Sequence, residues 1–320
     1  MNAGVLGVDS ENNHHLLKEA PMRKPITWQR IRWHIYRTPL SHVIKYLRRL
    51  RLQEDIKRRR ALLAELPRSP NLTKHATELR ELGYTMVTDI VDPVRMEALS
   101  AAGEAKLVKA RSKLSDIRQN TGHKDFWVRL LDEDMQNGML STDSPFVKIA
   151  LQPEIVSVVA AAMGEVPRLD YVLLTLSHGN REQLSYSQLW HRDYDDTNVI
   201  KLFFYLTDVI SPGDGPFTFI PGPDSDKLGF QFNSHLSDEQ ISRWIQLSAA
   251  KAVFAPKLSA FMVNTSRCLH MGSRTSPGHQ RLLFTATYFL SPRLYPEPSP
   301  PRFTFSCDED PIVRTLLTAD

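Results

Sequence analysis

The stretch QLWHRDYDDTNVIKLFFYL, residues 188–206, places a histidine and an aspartate just ahead of a run of aromatic and branched residues. Such a run is typical of a buried β-strand. In an extended segment, residues i and i+2 project to the same side, so His191 and Asp193 point together while Arg192 faces away. A polar turn before a core strand explains the pattern equally well unless the chain offers a third ligand elsewhere.

A candidate third ligand follows a later strand pattern. The stretch LSAFMVNTSRCLHMGSRTSPGHQRLLFTATYF, residues 258–289, contains a strand, then His270, then a turn, then Arg281 at the start of another strand. Two histidines and one carboxylate leave three positions open on a metal, which suits non-haem Fe(II) that must bind a bidentate cosubstrate and O2. A forked, permanently charged donor such as Arg281 can clamp the far carboxylate of a dicarboxylic acid.

Alternatives stay open on the residues alone. The same ligand types suit zinc, which would make the site hydrolytic. His279 is another possible third ligand, but it lies two residues before Arg281 and would crowd one strand start. His270 is therefore favoured, and we interpret His178 and His235 as loop or surface residues.

The strand that starts near residue 199 carries two further candidates. Lys201, Phe203 and Tyr205 share one of its faces, and the residues between them share the other. If the first face lines the interior, Lys201 or Tyr205 can contact the carboxylate of the cosubstrate. Otherwise Tyr205 is a core residue with a satisfied hydroxyl, and Lys201 extends to solvent.

Short apolar runs dominate the chain after residue 168. Gly- and Pro-containing turns separate them, and one helical pattern at 237–249 interrupts them. Many short strands without long helices between them predict a β-sandwich or barrel. The runs are YVLLTLS, VIKLFFYLTD, PFTFIPG, AVFA, SAFMVN and LLFTATYFL.

Helices are predicted mainly upstream of these strands. Residues 26–65 read as two helices broken near Pro39, and the second has apolar residues at three- and four-residue spacing. A short helix, a glycine stop and a strand follow from residue 74. Another helix begins with Asp92 as N-cap and Pro93 at its first position, and a further one covers 153–163. The shared face of the second helix comprises Leu40, Val43, Ile44, Leu47 and Leu50.

Composition is that of a globular protein in a reducing compartment. The 320 residues are 42% hydrophobic, and two cysteines do not make a disulfide framework. The first fifteen residues lack the basic start and apolar core of a signal peptide, and every apolar run is too short to cross a bilayer. We therefore expect a cytoplasmic protein.

A basic segment precedes a mildly acidic body. Residues 23–60 hold 13 Lys or Arg against 2 acidic residues, so this segment is net +11 and the rest of the chain net −7. The helices here can cap the body with their charges solvated. They can also lie on an anionic membrane surface, with Trp28, Trp33, Tyr36 and Tyr46 at the headgroup level. No recognition motif supports nucleic-acid binding, which is not expected.

Residues 75–295 resemble the phytanoyl-CoA dioxygenase family of Fe(II)/2-oxoglutarate oxygenases. The matching motifs are GYTMVTDIVDP at 83–93, WHRD at 190–193, LTD with GDGPFTFIPG within 206–222, and LHMGSRTSPGHQR at 269–281. The resemblance implies a double-stranded β-helix core with helices packed outside. It also implies that His191, Asp193 and His270 are iron ligands and that Arg281 anchors 2-oxoglutarate.

The chain departs from the family pattern in two places. Family members often read PGSH where this chain reads PGPD at 221–224, a loop that borders the substrate mouth, so the substrate does not transfer. The basic segment has no counterpart in the family core. Asp193 is present, whereas related halogenases replace that carboxylate with a small residue, so hydroxylation is favoured over halogenation.

The sequence thus predicts a mainly β protein with flanking helices: a jelly-roll (double-stranded β-helix) core plus an N-terminal helical extension. The expected function is Fe(II)- and 2-oxoglutarate-dependent hydroxylation, with O2, of a small-molecule or lipid- or glycan-linked substrate. The alternative is an inactive scaffold on the same fold, localised by its basic segment. No feature predicts an oligomeric state. The expected regions are a disordered lead at 1–20, the extension at 21–66, the oxygenase domain at 67–297 and a proline-rich tail at 298–320.

Overall fold

Runs of branched and aromatic residues form a six-stranded antiparallel sheet in the computed structural model. Its order is β1-β8-β5-β10-β4-β2, and β10 lies between β5 and β4 along most of its length. The strands are β1 (Tyr84–Met86), β2 (Trp127–Arg129), β4 (Arg168–His178), β5 (Val199–Tyr205), β8 (Ala260–Asn264) and β10 (Gln280–Phe289). The structure describes Ile35 and residues 38–111, 127–135, 138–179, 184–231, 233–294, 302–306 and 309–318.

A smaller antiparallel sheet faces the large one. It is ordered β7-β6-β9, and aromatic side chains fill the space between the sheets, with Phe203 and Phe217 at 4.6 Å between ring centroids. The remaining strands form a parallel pair, β3-β11. These strands are β3 (Leu140–Ser141), β6 (Thr218–Phe219), β7 (Lys251–Ala252), β9 (His270–Met271) and β11 (Phe303–Thr304). The antiparallel sheets with helices agree with the predicted fold class, and closure into a double-stranded β-helix stays a prediction.

Helices cover the outer face of the large sheet. The even-numbered side chains of β5, such as Leu202 and Phe204, pack there in the largest apolar cluster, together with residues of α5 and α6. The odd-numbered side chains of β5 therefore face the smaller sheet. The helices are α1 (Leu40–Arg51), α2 (Gln53–Ala61), α3 (Pro70–Glu81), α4 (Pro93–Arg111), α5 (Pro145–Ala150), α6 (Pro153–Met163), α7 (Gly222–Ser225), α8 (Asp238–Ser242) and α9 (Pro311–Leu317).

Several helix ends follow the predicted signals. Asp92 accepts a hydrogen bond from the Val94 N–H at 2.8 Å, with Pro93 at the first position of α4. Gly83 has φ +81°, and a Cβ there would meet the Cys268 sulfur at 2.4 Å, so glycine is required between α3 and β1. The predicted helix at 153–163 matches α6.

Three predicted elements differ from the structure. The helical pattern at 237–249 gives only α8 and a 3₁₀ turn at Leu247–Ala249. The second helix of the basic segment is interrupted at Leu52, so α1 and α2 are separate. The predicted tail contains α9, which places Leu316 and Leu317 in the main apolar cluster. The predicted first helix and the 1–20 lead lie almost wholly outside the described residues.

Three of the four cations of α1 pack inward. Lys45 is 4% exposed, and its ammonium group donates to both carboxylate oxygens of Asp196 at 2.7–2.8 Å and to the Leu290 carbonyl at 2.7 Å. Arg49 pairs with the buried Glu165. The expectation that a cap would leave its charges solvated is therefore wrong for these residues. Removing one partner of such a buried pair typically costs about 3–5 kcal/mol of stability.

The apolar face of α1 points outward. Leu40, Val43, Leu47 and Leu50 are 43–53% exposed, and Tyr46 is 61% exposed. These residues share one face, as their spacing predicts, but the face that packs on the body is the ionic one. Within the described part of the chain, no helix is both long and apolar enough to cross a membrane.

Candidate metal centre and its cavity

Three ligand-type side chains meet where residues 190–193 cross β9. His191 and His270 form an antiparallel bridge in which each backbone N–H donates to the other's carbonyl at 2.9 Å. The Asp193 N–H donates to the Thr265 carbonyl at 2.9 Å. One ligand atom from each of His191, Asp193 and His270 lies within 4.8 Å of the others. The structure thus brings together the three predicted ligands in a cluster able to hold a metal ion.

Backbone carbonyls fix the orientation of both imidazoles. Nδ1 of His191 lies 2.8 Å from the Leu189 carbonyl, and Nδ1 of His270 lies 3.0 Å from the Cys268 carbonyl. Since a carbonyl only accepts, both Nδ1 atoms carry hydrogen, and this assignment follows from the hydrogen-bond network. Each Nε2 is left with its lone pair directed at the cluster, which is the tautomer that a metal ligand requires.

The surroundings keep both histidines neutral. Burial, with a smaller contribution from His270, lowers the pKa of His191 to about 3. Burial likewise lowers the pKa of His270. Neutral imidazole is the form that binds a metal, so neither ligand has to lose a proton near neutral pH.

Lys201 lies beside the carboxylate of the cluster. Its Nζ lies 2.8 Å from Oδ2 of Asp193, so the two groups form an ion pair. The contact is not a hydrogen bond, because Oδ2 has no partner in hydrogen-bond geometry among the described residues. Burial alone would raise the pKa of Asp193, but Lys201 and the two histidines hold it well below its usual range. Asp193 is therefore ionised, as metal binding requires. Lys201 reaches this site from the inward face of β5.

Arg281 is buried in the same cavity. It is 2% exposed, and its guanidinium group donates to the Ser273 hydroxyl at 2.9 Å and to the Gly215 carbonyl. Its Nε atom is buried without a hydrogen-bond partner among the described residues. A Cβ on Gly272 would lie 3.6 Å from this guanidinium group, which places Arg281 close to the segment that carries His270.

A cavity of about 450 Å³ joins these groups. It lies between the two sheets, within the range typical of small-molecule sites. Its described lining comprises Trp127, Arg129, Tyr171, Leu173, Thr175, Ser187, His191, Asp193, Asp195, Lys201, Phe203, Phe217, His270, Gly272, Ser273, Arg281, Leu283, Thr285, Arg293 and Arg302.

Strand register places Lys201 and Arg281 at opposite ends of this cavity. Lys201 pairs with Thr287 of β10, six residues along the strand from Arg281. At about 3.3 Å per residue, these backbone positions are roughly 20 Å apart. Lys201 therefore contacts the metal cluster from the end remote from Arg281, which separates the two predicted cosubstrate contacts.

Tyr205 occupies a different place from Lys201. Its hydroxyl donates to the Val253 carbonyl at 3.0 Å and accepts from the Phe217 N–H at 2.9 Å. It is fully buried in the aromatic cluster between the sheets, and the described cavity lining does not include it. The structure thus matches the core interpretation of Tyr205, with a satisfied hydroxyl.

Other polar side chains near the cluster have structural partners. His279 pairs with Asp214 at 2.8 Å and does not belong to the metal cluster. The Trp190 indole N–H donates to Asp238 at 2.7 Å, and Arg192 donates to backbone carbonyls. His235 lies in a loop, as interpreted from the sequence, and its ring stacks on that of His191 with 5.2 Å between ring centroids.

Several residues at the Lys201 end of the cavity have no recognisable signal in the sequence. Tyr171 is identifiable only as an inward residue of β4, once the sheet face is known. Arg293 and Arg302 follow the last long strand and line the cavity, and no local sequence pattern indicates this. Alternation along β4 was the one available signal.

No family model matches the chain, and no curated protein matches it. Similar solved structures include the non-haem alpha-ketoglutarate-dependent epimerase SnoN from nogalamycin biosynthesis, at 20% identity over 69% of this chain and 83% of that one, TM-score 0.44. EctD from S. alaskensis, solved with 2-oxoglutarate and 5-hydroxyectoine, is 14% identical over 70% of this chain and 77% of that one, with a TM-score of 0.48. AviO1 from Streptomyces viridochromogenes Tue57 is 15% identical over 73% of this chain and 100% of that one, with a TM-score of 0.47. These values are too low to assign a function.

Proposed function

We propose that this chain is a non-haem Fe(II)- and 2-oxoglutarate-dependent dioxygenase that hydroxylates a C–H bond of its substrate. One observation carries the proposal: three neutral or anionic ligand side chains and a buried arginine open into the same cavity. A buried guanidinium group with an unused N–H fits a dicarboxylate cosubstrate better than it fits a hydrolytic zinc site. Membership of the phytanoyl-CoA dioxygenase family stays part of this proposal.

Each residue of the site would have a distinct role. His191, Asp193 and His270 would hold Fe(II), and Lys201 would stay on the second oxygen of Asp193 and orient it. Arg281 would bind the far carboxylate of 2-oxoglutarate. Iron held there would supply O2 activation, with one oxygen atom going to succinate, formed from 2-oxoglutarate with CO2, and the other to the substrate hydroxyl group. Phe203 and Phe217 line the cavity and limit access of water.

Turnover without substrate tests this proposal. We expect the purified full chain with Fe(II), ascorbate and 2-oxoglutarate to release succinate slowly. His191→Ala should reduce this release at least about 100-fold, because even partners behind metal ligands are worth roughly 10–100-fold. His279→Ala is the matched control and should behave as wild type, because His279 lies outside the cluster.

Iron binding measured by equilibrium dialysis separates the outcomes. Equal succinate release by wild type and His191→Ala would remove the proposal. Tight iron binding by the wild type without any succinate would instead favour the inactive scaffold. The substrate is proposed to be a small molecule or a lipid- or glycan-linked group.

A further inference from the structure

Three cationic side chains converge on the end of the cavity remote from Arg281. This cationic end consists of Lys201, Arg293 and Arg302, of which Lys201 and Arg302 flank the ring of Tyr171. The Lys201 ammonium group lies 5.8 Å from the Tyr171 ring centroid, and the Arg302 guanidinium carbon lies 5.5 Å from it. Both distances are within the range of cation–π attraction, so Tyr171 holds two of the cations in place.

The Asp170 carboxylate lies near both arginines of the cationic end but accepts no hydrogen bond from Arg302. Asp170 is fully buried, and it lies 3.5 Å from Arg293 and 4.0 Å from Arg302. Neither of its oxygens has a hydrogen-bond partner within the described chain. Asp170 thus compensates charge without occupying the N–H groups of Arg302 in hydrogen bonds.

Metal binding changes the charge compensation of Lys201. Asp193 is the carboxylate nearest to its Nζ, at 2.8 Å, and Asp193 is also the predicted metal ligand. When that carboxylate shares its charge with a metal, it compensates Lys201 less. Asp195, which also lines this end, and Asp170 are then the carboxylates left to compensate the three cations. Partly buried cations without matching anions are costly, so the loaded site favours an additional anion.

We propose that the cationic end binds an oxyanion of the substrate, a carboxylate, sulfate or phosphate group, through Arg302 and Arg293 with Lys201 beside it. The assignment of this oxyanion to the substrate rests on the proposed function, whereas the anion site itself does not. The side chain of Arg302 is 39% exposed and lines the cavity, so an entering oxyanion can reach its forked guanidinium group. The bond to be oxidised would then lie between this anchor and the metal.

Inorganic phosphate is the probe for this site. We expect calorimetry to show phosphate binding to the full chain loaded with Mn(II) and saturating 2-oxoglutarate. Arg302→Gln should weaken that binding at least about tenfold, because a hydrogen bond to a charged group is worth roughly that factor. Arg243→Gln, an exposed arginine away from the cavity, is the matched control and should leave it unchanged.

Competition decides which end the phosphate occupies. Phosphate bound at the cationic end should not be displaced by 2-oxoglutarate, and Arg281→Gln should retain it. Displacement by 2-oxoglutarate, absence of binding, or equal binding by wild type and Arg302→Gln would overturn the inference. Sulfate and acetate in the same assay identify which oxyanion binds best.

The two proposals fail separately. If phosphate binds as expected but no succinate forms, the anion site stands and the oxygenase proposal falls. If succinate forms with wild-type rate in Arg302→Gln and no phosphate binds to wild type, the oxygenase proposal stands and the anion site falls.

Discussion

Arg281 and Lys201 are cations at opposite ends of one cavity, and each has a different partner. Arg281 donates to the Ser273 hydroxyl, and Lys201 pairs with Asp193. The spacing of Arg281 from His270 was readable from the sequence, and the structure places both in one cavity. The position of Lys201 at the other end depends on its pairing with Thr287, a long-range contact that no local pattern encodes.

Replacing Arg281 tests its assigned role. Arg281→Lys keeps the charge but loses the fork, so we expect the Michaelis constant for 2-oxoglutarate to rise roughly ten- to one-hundredfold. Arg274→Lys is the control, because Arg274 lies between His270 and Arg281 but pairs with Asp238. Succinate assays at varied 2-oxoglutarate give the constants, and circular dichroism checks the fold. An unchanged constant in Arg281→Lys would assign the carboxylate to another cation.

The ligand triad was predictable for a local reason. His191 and Asp193 are two residues apart in an extended segment, so their common direction follows from backbone geometry. His270 required a second strand to lie alongside, which the bridge between His191 and His270 provides. The choice against His279 also agrees with the cluster, since His279 pairs with Asp214 instead.

At the scale of elements, α1 is the largest difference between prediction and structure. The apolar residues of α1 share one face, as their spacing predicts, but periodicity does not say which face packs on the body. Usually the apolar face is buried. Here the loop at 290–294 offers carbonyls, and Asp196 and Glu165 offer carboxylates, so the cationic face packs inward and the leucines are exposed.

The exposed face of α1 is where the predicted membrane contact can be tested. The apolar side chains would insert below the headgroups, and nearby exposed cations such as Arg51 would meet anionic lipid. We expect Val43→Glu to reduce flotation with vesicles of phosphatidylcholine and phosphatidylserine. Val94→Glu, which replaces an exposed valine on α4, should float as wild type does.

Vesicles of phosphatidylcholine alone complete that experiment. Weak binding to them by wild type is expected, because the cations would lack their partners. Equal flotation of Val43→Glu and wild type with the vesicles that contain phosphatidylserine would rule out α1 as the contact.

At the scale of the molecule, the strand content was predictable and the assembly only partly so. Long alternating or apolar runs gave β4, β5, β8 and β10 close to their observed bounds. The short strands β2, β3 and β11 carry too few residues to show a period. Helix α9 was missed because the proline-rich stretch before it indicated an extended tail, whereas Leu316 and Leu317 complete the core.

The main apolar core and the candidate site lie on opposite faces of the large sheet. The main apolar cluster lies between the large sheet and the helices, whereas the metal cluster and Arg281 lie between the two sheets. Changes in the cavity are therefore expected to affect activity more than folding. The proposed cavity variants should therefore change function while leaving the fold intact.

The most direct test of the central claim is a crystal structure of the full chain grown without oxygen in the presence of Fe(II) and 2-oxoglutarate. The account predicts one iron ion bound by His191, Asp193 and His270, with the far carboxylate of 2-oxoglutarate on Arg281. Iron bound elsewhere, or that carboxylate on Lys201 with Arg281 unengaged, would contradict it.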